Sequence, residues 1–392
     1  MTTAAELDAL AAAVRGEATV VSDRMVDAAE AQGVEALLAA APAASAASPA
    51  IALRLKGILA GYEVLATVRD RELARVLALL ASGGVTPIVI KGAHLAHTIY
   101  ASPALRPRED ADLVIAGEEQ AATAAILAGA GYARRVHVRG SLILGQCHFH
   151  RTDSLGIVHA LDVHWRLAAP LVFRGVLPAA ALRRSAVPIP ALGAPARGPS
   201  APHALIVACV HLIAHHRADP VLIWLQDIAR LAAALDDGEA AAFLETAGSC
   251  RIGAVCAAAL DRARRHFDGP ALASLAGRAG ALGRGAAEPS ARLLTAARPI
   301  DEMWLDLRTS DGWRERATLL REHLWPGAAY MRETTAATTW LPLAYARRVV
   351  FGARKWMAPA ATAADRRTAE PAEPPADSAA ASPPRRAART TR

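Results

Sequence analysis

The sequence predicts an α+β protein, predominantly helical, in which a small mixed sheet is flanked by N- and C-terminal helical regions. Three observations predict this. Alanine dominates a hydrophobic content of 53% and β-branched runs are few, which favours helix. Apolar residues at three- and four-residue spacing fill the first 81 positions and return after position 203. Strand-like runs are confined to positions 85 to about 190. The expected organisation is an N-terminal helical region over 1–81, an α/β core over 82–200, a C-terminal helical domain over 201–357 and a disordered tail over 358–392.

In chain order, Ala4 to Val14, Ser22 to Leu38 and Ile51 to Leu80 carry the helical spacing, with Ser22-Asp23 and Ser48-Pro49 as helix starts. Ser82-Gly83-Gly84 stops the third helix, and Val85-Thr86-Pro87 leads into an apolar strand. That strand ends at Lys91-Gly92, and a short helical segment runs from His94 to Tyr100. A Pro- and Arg-rich turn precedes the next strand, which carries Asp110-Ala111-Asp112 and runs to Ile115. Gly117-Glu118-Glu119 opens a helix to Ala128, its acids favourably placed against the helix dipole. Three strand-like runs follow, Ala133 to Arg139, Leu142 to Thr152 and Ile157 to Leu167. The last two read as a hairpin about the turn Asp153-Ser154-Leu155-Gly156. Positions 185–202, rich in Pro, Gly and Ala, read as a linker or irregular crossover. Beyond it, His203 to His215, Val221 to Ala234 and Glu239 to Thr246 are the clearest helices, with Leu319 to Leu324 and Leu341 to Val350 closing the layer. The tail from Ala358 has no aromatic residue and scattered prolines, the composition of a disordered segment.

The net charge of +7 includes a tail with six Arg against four acids, which leaves the remainder at +5. That mild excess suits an anionic small molecule. Without a dense basic stripe and interleaved aromatics, nucleic acid is not expected as a partner. Lysine occurs only at positions 56, 91 and 355, against 41 arginines, so Lys91 stands out. Cys147, Cys209, Cys250 and Cys256 form no CxxC pair and read as buried free thiols. The N-terminus lacks the basic region of a signal peptide, and no apolar run reaches the roughly 18 residues of a membrane span. The expected compartment is the cytoplasm.

The chemistry is concentrated between Pro87 and Ile115. Asp110 and Asp112 lie two apart on a strand, so they share a face about 7 Å apart at Cα. Such a pair calls for a cation, and an oxygen-only pair suits Mg²⁺. Asp162 is an isolated acid in the strand-like Leu161-Asp162-Val163-His164-Trp165, and is the candidate third carboxylate, on the same face as His164. Gly92 lets a ligand approach the backbone, and the following helix N-terminus favours phosphate. Lys91 adds a point charge there. Arg106 and Arg108 either clamp phosphate, pin the turn against Glu109 or are solvated surface residues.

Thirteen histidines raise a second metal reading. His148 and His150, near His159 or His164, either hold a transition metal or form a polar wall donating to the carboxylates; the wall is the simpler reading. His215 and Asp227 line the far side of a cleft or form a satisfied core pair, again the simpler reading. Trp224, Leu225 and Ile228 at helical spacing read as core.

The segment IVIKGAHLAHTIYASPALRPREDADLVI, followed by LDVHWRL, resembles the uncharacterised nucleotidyltransferase family within the DNA polymerase β-type nucleotidyltransferase superfamily. HALIVACVHLIAHHRADPVLIWLQDIARLAAAL and LREHLWPGAAYMRE are similar to later segments of that family, so the resemblance covers positions 50 to 350. It implies a nucleotidyltransferase core in which Asp110, Asp112 and Asp162 are catalytic metal-binding carboxylates and Gly92 is the glycine of a phosphate-facing turn. The chain departs from the superfamily's Gly-Ser or Gly-Gly with Lys91-Gly92-Ala93. Ala93 offers no hydroxyl, so either Lys91 or His94 takes over that role or the donor is not an ordinary NTP; Lys91, Gly92, Ala93, His94 and Arg108 are the expected nucleotide-contacting residues. The implied reaction moves a nucleoside monophosphate from an NTP to a hydroxyl of a small molecule, sugar or peptide, with Mg²⁺ as the ion and Mn²⁺ as its alternative. The other partners implied are enzymes of a bacterial biosynthetic cluster. The rival readings are another transferase, glycosyl or phosphoryl, using a nucleotide-activated donor, and a non-catalytic scaffold.

Overall fold

The computed structural model describes residues 3–17, 20–135, 142–216, 221–285, 287–296, 298–334 and 340–347. The expected tail and part of the run Ala133 to Arg139 lie outside these residues. Helices α1 (Ala4–Val14), α2 (Asp23–Gln32), α3 (Glu35–Ala40), α4 (Pro42–Ser45) and α5 (Pro49–Ser82) come first. Side-chain caps set three of the starts. Thr3 accepts from the Glu6 N–H, Ser22 from Met25 and Ser48 from Ile51. The last two are the starts the sequence marks.

The sheet is built from β1 (Ile88–Ile90), β2 (Asp110–Val114), β3 (Ala133–Arg134), β4 (Gln146–Thr152) and β5 (Val158–His164) in the order β1-β2-β5-β4-β3. Only β2 and β5 run parallel; the other pairs are antiparallel, so the sheet is mixed. Helix α6 (Lys91–Thr98) follows β1 directly and α7 (Gln120–Gly129) crosses between β2 and β3. Alternation sorts the side chains by face. Val89, Leu113, Ile115, Leu161 and Val163 pack on Leu73, Val76, Leu77 and Leu80 from the second half of α5. Ile88, Ile90 and Val114 point the other way, into the large helical core. Fully burying such side chains contributes roughly 1.5–3 kcal/mol each. The carboxylates of β2 share this second face.

The segment after the sheet contains α8 (Ala179–Arg184) and a short ribbon of β6 (Val187–Pro188) and β7 (Arg197–Gly198), where the sequence reads as a linker. Helices α9 (Ala201–His215), α10 (Leu222–Ala234), α11 (Asp237–Ser249), α12 (Gly253–Arg264) and α13 (Pro270–Gly285) build the C-terminal layer. α14 (Pro299–Thr309), α15 (Trp313–Leu324) and α16 (Ala328–Thr334) follow, and residues 341–347 are again helical. Leu10 and Leu38, Ile51 and Leu55, and Leu205 and Leu260 all belong to one apolar cluster, so N- and C-terminal helices share a core. Among the described residues no helix is long and apolar enough to cross a membrane.

Candidate active site

Register decides which acids meet. Asp112 on β2 pairs with Asp162 on β5, and Asp162 pairs in turn with His148 on β4. Directly paired residues project to the same side of a sheet, so Asp112, Asp162 and His148 form a row. Asp110 and His164, each two residues along its strand, sit on the same face.

Asp112 is buried, 5% exposed. Its Oδ1 accepts from Lys91 Nζ at 2.7 Å and from His164 Nε2 at 2.7 Å. Burial pushes this carboxyl up, but the Lys91 ammonium and then His164 outweigh burial and hold it well below the usual carboxylate range. An ionised carboxylate only accepts, so the His164 proton on this bond is at Nε2. His164 itself is buried, and burial first, then Lys91, pushes its pKa down. Asp162 Oδ1 is hydrogen-bonded to His148 Nδ1, and its Oδ2 lies 3.4 Å from the Gln146 amide nitrogen. His148 therefore belongs to the polar wall. His150 is exposed, and His159 turns to Asp153 at 3.0 Å.

Asp110 has a different setting. It begins the strand and keeps solvent-facing surface, but it lines a concave wall, so protein crowds its other sides. Burial, then the charges of Asp112 and Asp162, push its carboxyl up to about 7.

Lys91 links β1 to α6, and its backbone is left-handed at φ 52°. A side-chain-bearing residue in that region carries a strain of about 1–2 kcal/mol. The ion pair to Asp112 offsets it. The strained residue is thus Lys91 rather than Gly92; a Cβ at Gly92 would meet the Arg106 guanidinium at an ordinary 3.5 Å. Lys91, Gly92 and Arg108 line a cavity of about 580 Å³ together with Asp110 and Asp112. Ala93 and His94 do not line it. Both are buried, and His94 packs against Gly198, where a Cβ would come within 2.2 Å of its ring. Burial lowers the His94 pKa to about 4, so the ring is neutral there.

The two arginines of the turn are structural in their visible partners. Arg106 grips Asp227 with Nε at 2.9 and 3.0 Å and Nη2 at 2.7 Å, and Tyr100 donates to the same acid at 2.7 Å. The simpler sequence reading, a His215–Asp227 pair, is therefore corrected: Asp227 belongs to Arg106. The turn and α10 present opposite charges at that point, which sequence distance conceals. Arg108 pairs with Asp70 on α5. His211 and His216 line the cavity as the sequence did not anticipate, His216 stacked on Trp224 at 3.7 Å between centroids. Burial, then Lys91, holds the His211 pKa well down.

Asp112, Asp162 and His164 each offer one ligand atom, and these lie within 4.8 Å of one another. Two carboxylates and an imidazole in that space fit a divalent cation. His164 thereby joins the residues that could hold an ion, which at Nε2 it would do only as the Nδ1–H tautomer with its hydrogen bond to Asp112 given up; its place two residues after Asp162 is the sequence signal for it. Asp110 stands beside this set rather than within it.

The mixed sheet thus brings acids together from parallel neighbouring strands, beside a strand–helix corner and on the wall of a cavity. A model of the family described as "Uncharacterised nucleotidyltransferase" matches residues 20–268. The chain belongs to that family. No curated protein matches the chain.

Proposed function

We propose that this protein transfers a nucleoside monophosphate from an NTP to a hydroxyl of a small molecule, sugar or peptide, with Mg²⁺ as the ion. The observation that carries it is the register of Asp112 against Asp162, with Asp110 on the same face, beside a cavity large enough for a ligand. Asp112 and Asp162 would hold the ion with His164 at their side. When bound, the ion neutralises phosphate charge and orients the donor.

The chain's own residues supply the rest. Lys91 exchanges Asp112 for a phosphate oxygen of the donor, since an ammonium serves either anion. Gly92 and the start of α6 face the same phosphates. Arg69 and Arg108 line the cavity as further cations. The acceptor oxygen attacks the α-phosphorus, pyrophosphate leaves, and Asp110 takes the hydroxyl proton. Asp110 lines the cavity on the same face as the pair and is placed to take it. Catalysis is then mostly positioning and charge neutralisation. His148 and Gln146 keep Asp162 in place from β4.

The test is pyrophosphate release from a panel of NTPs and acceptors by wild type, Asp110→Ala and Asp162→Asn. Activity is expected in the wild type alone, and equal rates in all three would sink the carboxylate roles. Product mass identifies the group moved, which separates nucleotidyl from glycosyl or phosphoryl transfer. The Lys91–Asp112 pair favours one other reading, a binding protein whose key acid is neutralised internally. Calorimetry with Mg²⁺ and NTPs decides: no heat of binding would favour that scaffold.

A further inference from the structure

We propose that the end of the cavity formed by Glu35, Tyr62 and Glu109 receives a cationic nitrogen, so that the acceptor is an amine-bearing alcohol. This rests on the nucleotidyl-transfer reading for the word acceptor, and on local geometry for the amine.

The charges of the cavity wall divide into satisfied and unsatisfied. Asp227 is neutralised by Arg106 and Asp112 by Lys91. Glu30 reaches Arg54 at 2.8 Å on the rim. Arg108 is held by Asp70, and Arg69 donates to the Arg108 carbonyl, a neutral acceptor, which leaves Arg69 for donor phosphate. Two acids remain. Glu109 has no hydrogen bond or ion pair among the described residues. Glu35 is only 3% exposed, accepts from the Tyr62 hydroxyl at Oε1, and leaves Oε2 buried with no partner among the described residues.

A buried carboxylate oxygen without a donor is costly, and the cost falls when a ligand supplies one. A protonated amine supplies both donors and charge. Burial raises the Tyr62 proton affinity, and Glu35, Glu109 and Glu30 raise it further; burial also pushes the Glu35 carboxyl up, and a cationic nitrogen beside it would hold it ionised. Beside it, Leu65, Ile223 and Trp224 give an apolar wall for a ligand body. The same cavity reaches Asp110 and Asp112, so a ligand anchored by its amine can present a hydroxyl to the carboxylate row.

The test compares three compounds of one shape by calorimetry against the full chain: 4-(aminomethyl)cyclohexanol, 4-methylcyclohexanol and 4-hydroxycyclohexanecarboxylate. The amine is expected to bind at least about tenfold tighter than the neutral alcohol, with the carboxylate weakest. Glu35→Gln should bring the amine down to the alcohol, and Glu109→Gln should cut its advantage severalfold. Equal binding of the three, binding of none, a preferred carboxylate, or an amine preference untouched in both variants overturns the proposal. Glu109→Gln lies at the surface of the cavity and keeps the test valid where Glu35→Gln lowers the melting temperature. No NTP or divalent ion is present, so failure here leaves nucleotidyl transfer standing. An amine preference in a protein that releases no pyrophosphate would keep this site and sink the reaction.

Discussion

Replacing Asp227 by alanine should destabilise the protein by about 3–5 kcal/mol. The magnitude follows from what is left behind. Arg106 and Asp227 are 6% and 3% exposed, so the guanidinium would keep its charge with almost no water to take it up. Three nitrogen–oxygen contacts of 2.7–3.0 Å vanish, and the Tyr100 hydroxyl loses its acceptor. Each charge-assisted bond of this kind is worth about 1.5–3 kcal/mol, and the parts do not add fully. Urea unfolding followed by circular dichroism reads the loss. With a slope of about 3 kcal/mol per molar, the midpoint should fall by roughly 1–1.7 M. The double variant Arg106→Met, Asp227→Leu removes both charges and should recover much of the stability, because the penalty lies in the orphaned partner. A midpoint for Asp227→Ala within 0.3 M of wild type, as a rough threshold, would refute the reasoning. So would a double variant as unstable as the single one. The pair also bears on the site. Arg106 Nη1 holds the Pro107 carbonyl at 2.8 Å, and that turn leads straight to Asp110.

Three further expectations are open to direct measurement. Asp162→Asn and Asp112→Asn should each weaken Mn²⁺ binding, read by electron paramagnetic resonance of the free ion, by at least about tenfold, and unchanged affinity would remove these acids from the donor set. Glu72 on α5 ties together Arg75, Arg151 and Tyr132, and although burial opposes it, Arg75 and Tyr132 lower its pKa from 4.5 to about 2. A depressed carboxyl stabilises the fold above its unfolded pKa and loses that contribution as pH falls from 4.5 toward 2. The shift corresponds to roughly 3–4 kcal/mol before screening, and solvent at Arg75 reduces it to about 1–2 kcal/mol. Glu72→Gln should therefore melt lower than wild type at pH about 7 and alongside it near pH 2; a constant gap would contradict the linkage. Finally, Gly198→Ala drives a Cβ to 2.2 Å from the His94 ring and should destabilise by about 1–3 kcal/mol in thermal melts, with His94→Ala in the same chain relieving the clash.

Some of this is visible in one dimension. The period-two spacing of Asp110 and Asp112 and the alternation around Asp162 are local, so their shared faces could be read directly. Caps at Ser22 and Ser48 are equally local. The pairing of helices α12 and α13 is not visible in this way, because their contact uses Gly253, Gly283 and alanines rather than a stripe of large apolar residues. A Cβ on Gly283 would lie 2.7 Å from the Ala254 nitrogen, a close approach that no periodicity announces.

The sequence by itself determined the helix-rich α+β class, the family and the strand faces that carry the acids, because backbone periodicity and short motifs act within a few residues. The tertiary structure alone decided what each charge meets. It put Lys91 on Asp112 across 21 residues, Arg106 on Asp227 across 121, and Tyr62 on Glu35 across 27. The physical reason is that burial, not spacing, forces a charge to find a partner, and only the packed chain defines what is buried.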